Sequence, residues 1–403
     1  MKEIIVIGGG AAGFFAAITA ARLTNQIHVT LLERNRALLS KVRISGGGRC
    51  NVTHACFDPK QLVTRYPRGK RALLGPLNRF GPVEAIEWFR EAGVELKTES
   101  DGRMFPVTDR SETIIDLFLT EAHKAGVIIR TECDVSSVRR LDVGFELTLG
   151  SGELLYADKL LFASGSHPKS YELIRSLGHT IVPPVPSLFT FTITDPRLEG
   201  LSGLSVSQVE LSLPKLSLEE SGPLLITHWG LSGPAVLKLS AFGARLLHAV
   251  DYKTELQINW IPAFSSDQIR AILASQPPKK MIHTETQFGL PKNLWRRLLL
   301  AAQIPENCLF AHFSTAARER LIVELTRGSF QIQGKATNKD EFVTAGGVSL
   351  DEVQFQTMES KICPGLYFAG EVLDIDGITG GYNFQNAWTT GWLAGHALAS
   401  QKT

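Results

Sequence analysis

The sequence predicts an α/β fold in which helices cover a parallel sheet, and three observations support this prediction. Residues 4–7 (IIVI) are β-branched, which favours a short buried strand. Residues 14–23 follow a glycine-rich turn and are rich in alanine, so they predict a helix packed deep against the sheet. Residues 28–32 (HVTLL) predict a second strand, and residues 364–399 return to strand, glycine-rich loop and long helix. We therefore expect the two ends of the chain to form one domain that is interrupted by an insertion.

The turn between the first strand and the first helix has the spacing of a dinucleotide-binding fingerprint. Gly8, Gly10 and Gly13 match G-x-G-x-x-G at a strand-to-helix junction. In this motif the first glycine permits a tight turn, the second leaves room for a pyrophosphate, and the third lets helix and strand approach closely. The second strand ends in Glu33, where an acidic side chain would bond a ribose hydroxyl. The predicted ligand is FAD or NAD(H), bound by Gly8, Gly10, Ala11, Ala12, Gly13, Glu33 and Arg34.

The composition is that of an ordinary globular enzyme. The 403 residues predict two or three domains, and 44% of them are hydrophobic and 20% charged. A net charge of +2 provides no overall field that would recruit nucleic acid. The basic stretch at residues 66–80 (YPRGKRALLGPLNRF) is interpreted as a solvated helix face rather than a phosphate or RNA site.

The cysteines and the apolar runs exclude several other classes of protein. Five scattered cysteines, none in C-x-x-C spacing, give no support for a disulfide framework, a zinc site or a dithiol redox pair. No apolar run approaches the ~18–20 residues of a membrane span. No charged-then-apolar leader precedes the first strand, so we expect a cytoplasmic protein without a metal.

The middle of the chain predicts a change of architecture. Residues 111–125 predict a helix with Ser111 as its N-cap, and residues 126–165 predict a small antiparallel meander. Val135 and Gly165 lie after strands of this stretch, and we place both beside the cofactor.

The expected domain boundaries follow from these changes in pattern. They are a cofactor domain in two parts (1–187 and 343–403), an inserted β-rich domain (188–262, with 326–342 returning) and an inserted helical domain (263–325). Ser314 is expected to cap the last helix of the insertion.

A second glycine-rich segment covers residues 41–51 (KVRISGGGRCN). Three consecutive glycines oppose both helix and strand, so we predict a loop that lies against a flat or charged ligand. Arg49 can bind phosphate bidentately and Lys41 adds a point charge. Cys50 is interpreted as a packed thiol rather than a redox group. The predicted contacts are Lys41, Ser45, Gly46, Gly47, Gly48, Arg49, Cys50 and Asn51.

The carboxy-terminal motifs favour FAD over NAD. Glu371 ends the predicted strand GLYFAGE and would accept hydrogen bonds from the hydroxyls of a sugar-like chain. Gly380 and Gly381 open the last helix, whose N–H groups would stabilise negative charge on a reduced flavin. A nicotinamide enzyme has no need for this second helix terminus. The predicted contacts here are Gly370, Glu371, Gly380, Gly381, Tyr382 and Asn383.

Four motifs together resemble one family. IGGGAAG, KVRISGGGRCN, TAGGV (344–348) and GLYFAGEVLDIDGITGGYNFQNAW are similar to those of the aminoacetone oxidase-like (BaiN/YhiN-like) NAD(P)/FAD-dependent oxidoreductases. The resemblance runs from end to end of the chain. It implies a glutathione-reductase-type, Rossmann-like FAD-binding domain with an inserted β-rich domain and a small helical domain. It also implies FAD contacts at Ala12, Glu33, Lys41, Gly48, Arg49, Cys50, Val135, Glu371 and Asn383.

The resemblance leaves the reaction open between two types. One is the oxidation of a small amine with oxygen as acceptor, and the other is the reduction of an activated C=C bond with NAD(P)H as transient donor. No second dinucleotide fingerprint is present, which leans slightly towards the oxidase. The expected partner is a small-molecule substrate. The alternative from another class is a flavin-containing, RNA-associated or structural protein in which FAD mainly stabilises the fold.

The catalytic residues remain unassigned at this stage. His228 is a candidate proton donor, although a histidine satisfied by neighbouring backbone is the favoured interpretation. Arg103, Phe105 and Pro106 are expected to form a loop bordering the site. TAGGV resembles the Gly-Gly loop of fumarate reductase-like flavoproteins, but residues 341–343 lack a histidine, so dicarboxylate reduction is in doubt.

Overall fold

The first part of the chain alternates strands and helices. The structure is a computed structural model that describes residues 1–284, 286–336 and 343–400. The strands up to residue 187 are β1 (Lys2–Ile7), β2 (Ile27–Leu32), β3 (Thr53–His54), β4 (Leu96–Thr98), β5 (Arg103–Pro106), β6 (Ile128–Arg130), β7 (Val135–Arg140), β8 (Phe145–Leu149), β9 (Leu154–Ala157), β10 (Lys159–Phe162) and β11 (Ile181–Ser187). The helices are α1 (Ala11–Leu23), α2 (Ser40–Gly48), α3 (Pro59–Leu62), α4 (Lys70–Arg79), α5 (Pro82–Glu91), α6 (Ser111–Lys124) and α7 (Pro168–Ser176).

The middle of the chain forms a unit of its own, residues 187–336 of the described chain. Its strands are β12 (Thr190–Thr192), β13 (Ser205–Leu213), β14 (Leu218–Thr227), β15 (Gly230–Ser232), β16 (Thr254–Asn259), β17 (Gly328–Ile332) and β18 (Gly334–Ala336). Its helices are α8 (Pro234–Phe242), α9 (Ala244–Ala249), α10 (Ser266–Ala274), α11 (Lys292–Ala301) and α12 (Thr315–Arg327). All seven strands form one sheet, in which every recorded pair is antiparallel. Ser314 caps α12 by accepting a hydrogen bond from the Ala317 N–H, as expected.

Strands and helices of the middle unit share one hydrophobic core, which contains Leu211 and Ile258 of the sheet and Trp295 and Leu298 of α11. The predicted division into a β-rich and a helical domain stays a prediction. Residues 337–342 of the returning segment, with Glu341 and Phe342, and residues 401–403 lie outside the described residues.

The last part of the chain rejoins the first. It contains β19 (Val343–Val348), β20 (Val353–Gln354), β21 (Glu359–Ser360), β22 (Leu366–Phe368) and α13 (Tyr382–Ala399). The first unit therefore consists of residues 1–186 and 343–400 of the described chain. Its main sheet has the order β20-β21-β22-β10-β1-β2-β6, and the five strands from β22 to β6 are parallel. The carboxyl ends of these parallel strands meet at one edge, where ligands bind in sheets of this class.

Helices α1 and α13 pack against each other in the core of this unit. Gly391 and Gly395 allow the close approach, because a Cβ on Gly391 would lie 2.8 Å from the Ala12 carbonyl oxygen and one on Gly395 would lie 2.6 Å from Thr19. The contacts advance in the same direction on both helices, so the helices are parallel. Gly391 lies beside Ala12, so the amino end of α13 extends about eight residues beyond the amino end of α1. At 1.5 Å per residue this offset is roughly 12 Å.

Three local predictions were wrong. Ser111 is the first residue of α6 rather than its N-cap, because its hydroxyl donates to the Arg43 carbonyl (2.8 Å) and Arg110 holds the cap position. Only β7, β8 and β9 form the predicted meander, whereas β6 and β10 pair in the parallel sheet. Residues 40–44 begin a helical turn, although Ser45, Gly46 and Gly47 do leave helical geometry as three glycines require.

Two further expectations concerned the surface. The basic stretch at 66–80 divides into an exposed face of α4 and a partly buried segment, in which Tyr66 is buried and Arg68 pairs with Asp376. Among the described residues, no helix combines the length and the apolar character needed to cross a membrane.

Candidate cofactor site

The glycine turn after β1 leaves one place open. A Cβ on Gly8, which has φ +116°, would lie 2.5 Å from the Ala163 carbonyl oxygen, and one on Gly13 would overlap the Gly8 carbonyl oxygen. The fold itself therefore requires glycine at these two positions. A Cβ on Gly10 would meet nothing within 4 Å, and the φ of −96° is open to any residue. The space beside Gly10, at the amino end of α1, fits a pyrophosphate held by helix N–H groups.

Glu33 lies beside this turn, as the fingerprint requires. Its Oε2 accepts from the Gly9 N–H (2.8 Å) and its Oε1 from the Asn35 N–H (2.9 Å), which leaves each oxygen able to accept a second bond. The Glu33 carbonyl accepts from the Cys133 N–H (2.9 Å), which brings the chain leading to Val135 close to Glu33. Val135 is buried and is the first residue of β7. The neighbouring Arg34 contacts the His167 ring.

The ends of β10 and β22 bring three predicted residues together. Glu371 accepts from the Thr344 N–H (3.2 Å) and pairs with Lys41. A Cβ on Gly165 would lie 3.4 Å from Glu371 Oε2. Glu371 does not end a strand as expected, since β22 stops at Phe368 and Gly370, with φ +75°, starts a 3-10 turn. Gly370 faces Ala12, whose Cβ would lie 2.8 Å from a Cβ at position 370.

The glycine loop at the carboxyl end of α2, residues 45–48, lies against β5. Gly46, Gly47 and Gly48 all have positive φ; a Cβ on Gly46 would lie 2.9 Å from the Phe105 ring, whereas those on Gly47 and Gly48 would meet nothing within 4 Å. The loop is closed by the Ser45 carbonyl, which accepts from the Cys50 N–H (3.0 Å). Open space over two consecutive glycines fits a loop that a ligand covers.

Two side chains of this loop are already engaged. The Arg49 guanidinium binds Glu99 (2.6 Å) and lies 4.0 Å from the centre of the Phe105 ring, so its predicted phosphate contact stays a prediction. Cys50 is fully buried, and this burial raises the pKa of its thiol to about 12. A thiol in such a setting is inert rather than redox-active.

The amino end of α13 is braced by residues from far along the chain. With its amide oriented to satisfy its neighbours, Asn51 accepts from the Gly381 N–H (3.0 Å) and donates to the carbonyls of Thr53 (3.0 Å) and Met104 (3.2 Å). Asn383 exchanges two hydrogen bonds with the backbone of Gly377 (2.8 and 2.9 Å). These contacts hold the turn, and they leave one N–H and one lone pair of the Asn383 amide available to a ligand.

A second set of contacts supports the same turn. Arg68 forms an ion pair with Asp376, which is completely buried. Tyr66 donates to the Tyr382 carbonyl (2.7 Å). His54 stacks on the buried Tyr382 ring, with the ring centres 4.9 Å apart. Burial raises the pKa of Tyr382 to about 12 and lowers that of His54, so both are neutral at pH 7.

Several buried polar atoms of this region have no partner among the described residues. They include the Ser164 hydroxyl, the Tyr171 hydroxyl, the side-chain amide oxygen of Asn386 and the Nδ1 of His54. Asn386 lies in the part of α13 that extends beyond α1, and Ser164 follows β10. Buried polar groups are almost always hydrogen-bonded, so these atoms fit contacts with polar groups of a bound cofactor. Sequence reasoning did not single out these side chains: Asn386 lies within a quoted motif and Ser164 precedes Gly165, but a motif does not show which polar atoms lack a partner.

Two further predictions, a loop at residues 103–106 and a backbone-satisfied His228, differ from the structure. Arg103, Phe105 and Pro106 belong to strand β5, so the prediction of a loop was wrong: β5 pairs with β3 on one side and with β4 on the other. His228 lies in the middle unit, exposed at the turn between β14 and β15, and not enclosed by backbone as favoured from the sequence.

The arrangement fits FAD better than a shorter ligand. Open space lies beside Gly10 at the amino end of α1, and the amino end of α13 extends about 12 Å beyond it. One helix terminus suits the pyrophosphate, and the other suits a flavin ring that becomes negatively charged on reduction. Between them lie Glu371 and Ser164, which can bind hydroxyl groups.

Comparison with known proteins decides the family. The chain matches the HI0933-like protein Rossmann domain over residues 2–397. The chain belongs to this family. It is 31% identical over 414 residues to a 3-dehydro-bile acid delta(4,6)-reductase of Clostridium scindens, with 100% of each chain covered. It is also 31% identical over 421 residues to a ribosomal RNA dihydrouridine synthase of Escherichia coli, with 100% of this chain and 99% of the other covered.

Solved structures show the same fold. A 3-ketosteroid-Δ4-(5α)-dehydrogenase from Rhodococcus jostii RHA1 has a TM-score of 0.54 at 16% identity, covering 99% of this chain and 97% of the other. A 3-ketosteroid Δ1-dehydrogenase from Sterolibacterium denitrificans has a TM-score of 0.54 at 12% identity, with full coverage of both.

These findings confirm the family, the fold class and the cofactor predicted from the sequence. This member of the HI0933-like family is an FAD-dependent oxidoreductase with a Rossmann-type FAD-binding domain. The comparisons support an enzyme at least as well as the alternative, an RNA-associated or structural flavoprotein.

Proposed function

We propose that this enzyme reduces a C=C bond conjugated to a carbonyl group, with NAD(P)H as the electron donor. The observation that carries the proposal is the pair of full-length relatives at 31% identity. One is named for reducing the Δ4,6 double bonds of a 3-keto bile acid. The other is named for forming dihydrouridine, which is uridine with its ring C=C bond saturated. The two substrates differ in size and polarity, but both present an alkene activated by a carbonyl.

When bound, FAD supplies hydride transfer at N5, from NAD(P)H and then to the alkene. We propose that the turn at Gly8–Gly13 holds the pyrophosphate and that Glu33 binds the ribose. Lys41 and Glu371 line the stretch between the two helix ends, and the amino end of α13 stabilises negative charge on the flavin ring. The proposed contacts are those predicted from the sequence, with Asn51 supporting the turn rather than touching the cofactor.

The sequence contains no second dinucleotide fingerprint, so we propose that NAD(P)H and the substrate use the same face of the flavin in turn. This arrangement predicts ping-pong kinetics, in which oxidised nicotinamide leaves before the alkene binds. It also requires that the flavin can be reduced in the absence of substrate.

An anaerobic two-step experiment tests the proposal. The purified protein is titrated first with NADPH and then with NADH while the flavin absorbance is followed. The reduced protein is then mixed with a 4,6-dien-3-one steroid or, in parallel, with ribosomal RNA that contains uridine. We expect bleaching by one of the nicotinamides, followed by return of the absorbance and a product heavier by two hydrogen atoms.

The controls separate an enzyme of this kind from an oxidase. The Gly10→Val protein, expected to lack FAD, should give neither signal. Failure of both nicotinamides to bleach the flavin, together with bleaching by an α-aminoketone and reoxidation by oxygen, would overturn the proposal in favour of amine oxidation.

A further inference from the structure

We propose that the hydroxyl groups of Ser164 and Tyr171 are additional FAD-binding groups and donate or accept hydrogen bonds on the Glu371 side of the cofactor. The inference concerns FAD binding and is independent of the substrate proposed above. The sequence placed the neighbouring Gly165 beside the cofactor, but it assigned no role to either of these two side chains.

Ser164 occupies a position between the glycine turn and Glu371. It follows β10, whose parallel neighbour β1 leads into Gly8, and a Cβ on Gly8 would lie 2.8 Å from the Ser164 Cα. The next residue, Gly165, stands beside Glu371 Oε2, 3.4 Å from a Cβ at that position. The Ser164 hydroxyl is buried and has no partner among the described residues. The hydroxyl is therefore buried at the edge of the sheet where the strands end, next to the glycine turn whose open space at Gly10 fits a ligand.

Tyr171 approaches the same place from α7. Only 2% of its surface is exposed, and its hydroxyl has no partner among the described residues. Helix α7 packs on β19, where the Thr344 N–H donates to Glu371. Burial, with the nearby charges of Glu371 and Asp374, raises the pKa of Tyr171, so the hydroxyl keeps its proton and can donate a hydrogen bond.

Other buried tyrosines of the same unit show that an unpartnered hydroxyl is not the rule. Tyr66, which is 1% exposed, donates to the Tyr382 carbonyl. Tyr367, which is 4% exposed, has a hydrogen bond to Glu359. A phenylalanine would fill the place of Tyr171 without burying a polar atom, whereas a hydroxyl left without a partner is destabilising. The partner we assign to it is a polar group of FAD.

The test compares Ser164→Ala and Tyr171→Phe with the unaltered protein. FAD is removed, and the dissociation constant is measured by titrating FAD back and following the quenching of its fluorescence. Each variant should bind FAD roughly fivefold more weakly, as expected for the loss of one hydrogen bond. The melting temperature of the flavin-free proteins should stay unchanged or rise, because neither hydroxyl has a protein partner to lose.

Tyr367→Phe is the matched control. It removes the hydroxyl of an equally buried tyrosine that has a protein partner, so it should lower the melting temperature with and without FAD and leave the FAD dissociation constant unchanged. FAD affinity within twofold of the unaltered protein in both test variants would overturn the proposal. So would a loss of stability in the flavin-free variants as large as in the control, since this would show that the hydroxyls act within the protein. Unchanged FAD affinity with weakened substrate binding would assign them to the substrate instead.

Discussion

The amino ends of α1 and α13 are both glycine turns in front of buried helices, but they are held in different ways. Around the first turn, Gly8 and Gly13 are fixed by contacts with each other and with the end of β10. Around the second, Gly381 is held by Asn51, and the preceding loop is held by Arg68 through Asp376. The first turn is thus built mainly by backbone packing and the second by side chains some 300 residues away in the sequence. The comparison indicates that a change at Gly10 of the first turn affects ligand binding alone, whereas changes in the contacts of the second turn affect both the stability of the fold and ligand binding.

The largest effect expected is the loss of FAD from Gly10→Val. The new side chain points into space that no protein atom occupies, so the flavin-free protein should fold normally while the pyrophosphate is excluded. The measurement is the flavin content of the purified protein together with its circular dichroism spectrum. Gly75→Val is the matched control, because Gly75 of α4 also faces open space but lies outside the proposed site. Normal flavin content in Gly10→Val would contradict the fingerprint argument.

Asp376→Ala should destabilise the fold and weaken FAD binding together. The buried carboxylate is the ion-pair partner of Arg68, whose side chain is 11% exposed, and removing one member of such a pair typically costs roughly 3–5 kcal/mol. Urea unfolding with and without added FAD measures both consequences. Asp267→Ala removes the carboxylate of an exposed ion pair with Arg270 and should leave stability close to that of the unaltered protein. Equal stability of the Asp376→Ala and Asp267→Ala proteins would show that the Arg68–Asp376 ion pair does not hold the second turn.

A smaller effect is expected from Asn51→Ala. This change removes the partner of the Gly381 N–H and one hydrogen bond to each of the carbonyls of Thr53 and Met104, so the loss should be about 1–3 kcal/mol. Because Gly381 precedes α13, FAD affinity should fall along with the melting temperature. Asn259→Ala in the middle unit also removes an amide that bonds to the backbone, and it should lower stability without changing FAD affinity. Equal FAD affinity of the Asn51→Ala and Asn259→Ala proteins would show that Asn51 does not support FAD binding.

The sequence predicted those parts of the site in which local residue order sets the local geometry. Gly8, Gly10 and Gly13 were readable because their spacing alone places them on a strand-to-helix turn. The end of β22 was misplaced because Gly370 takes a positive φ, which the apolar run before Glu371 does not reveal. The strands on either side of the meander were misassigned because short β-rich runs look alike until their partners are known.

Side chains that act through distant partners were beyond sequence reasoning. The hydrogen bond from the Ser111 hydroxyl to the Arg43 carbonyl depends on how α2 and α6 pack. Ser111 therefore bonds to α2 and does not cap α6, although serine is a favourable N-cap residue. Tyr171 shows no periodicity or motif that separates it from any other buried tyrosine. Its missing partner becomes visible only when the surrounding atoms are in place.

The offset between α1 and α13 has a consequence for which flavin is accepted. Because one positively polarised helix end lies about 12 Å beyond the other, a ligand must extend over both to gain from both. Riboflavin has no phosphate and would reach only one helix end, whereas FMN and FAD carry the ring and a phosphate on the ribityl chain and can reach both. In the proposed binding mode the helix offset therefore requires a phosphorylated flavin, and FAD is favoured over FMN by its second phosphate at the turn and its ribose at Glu33.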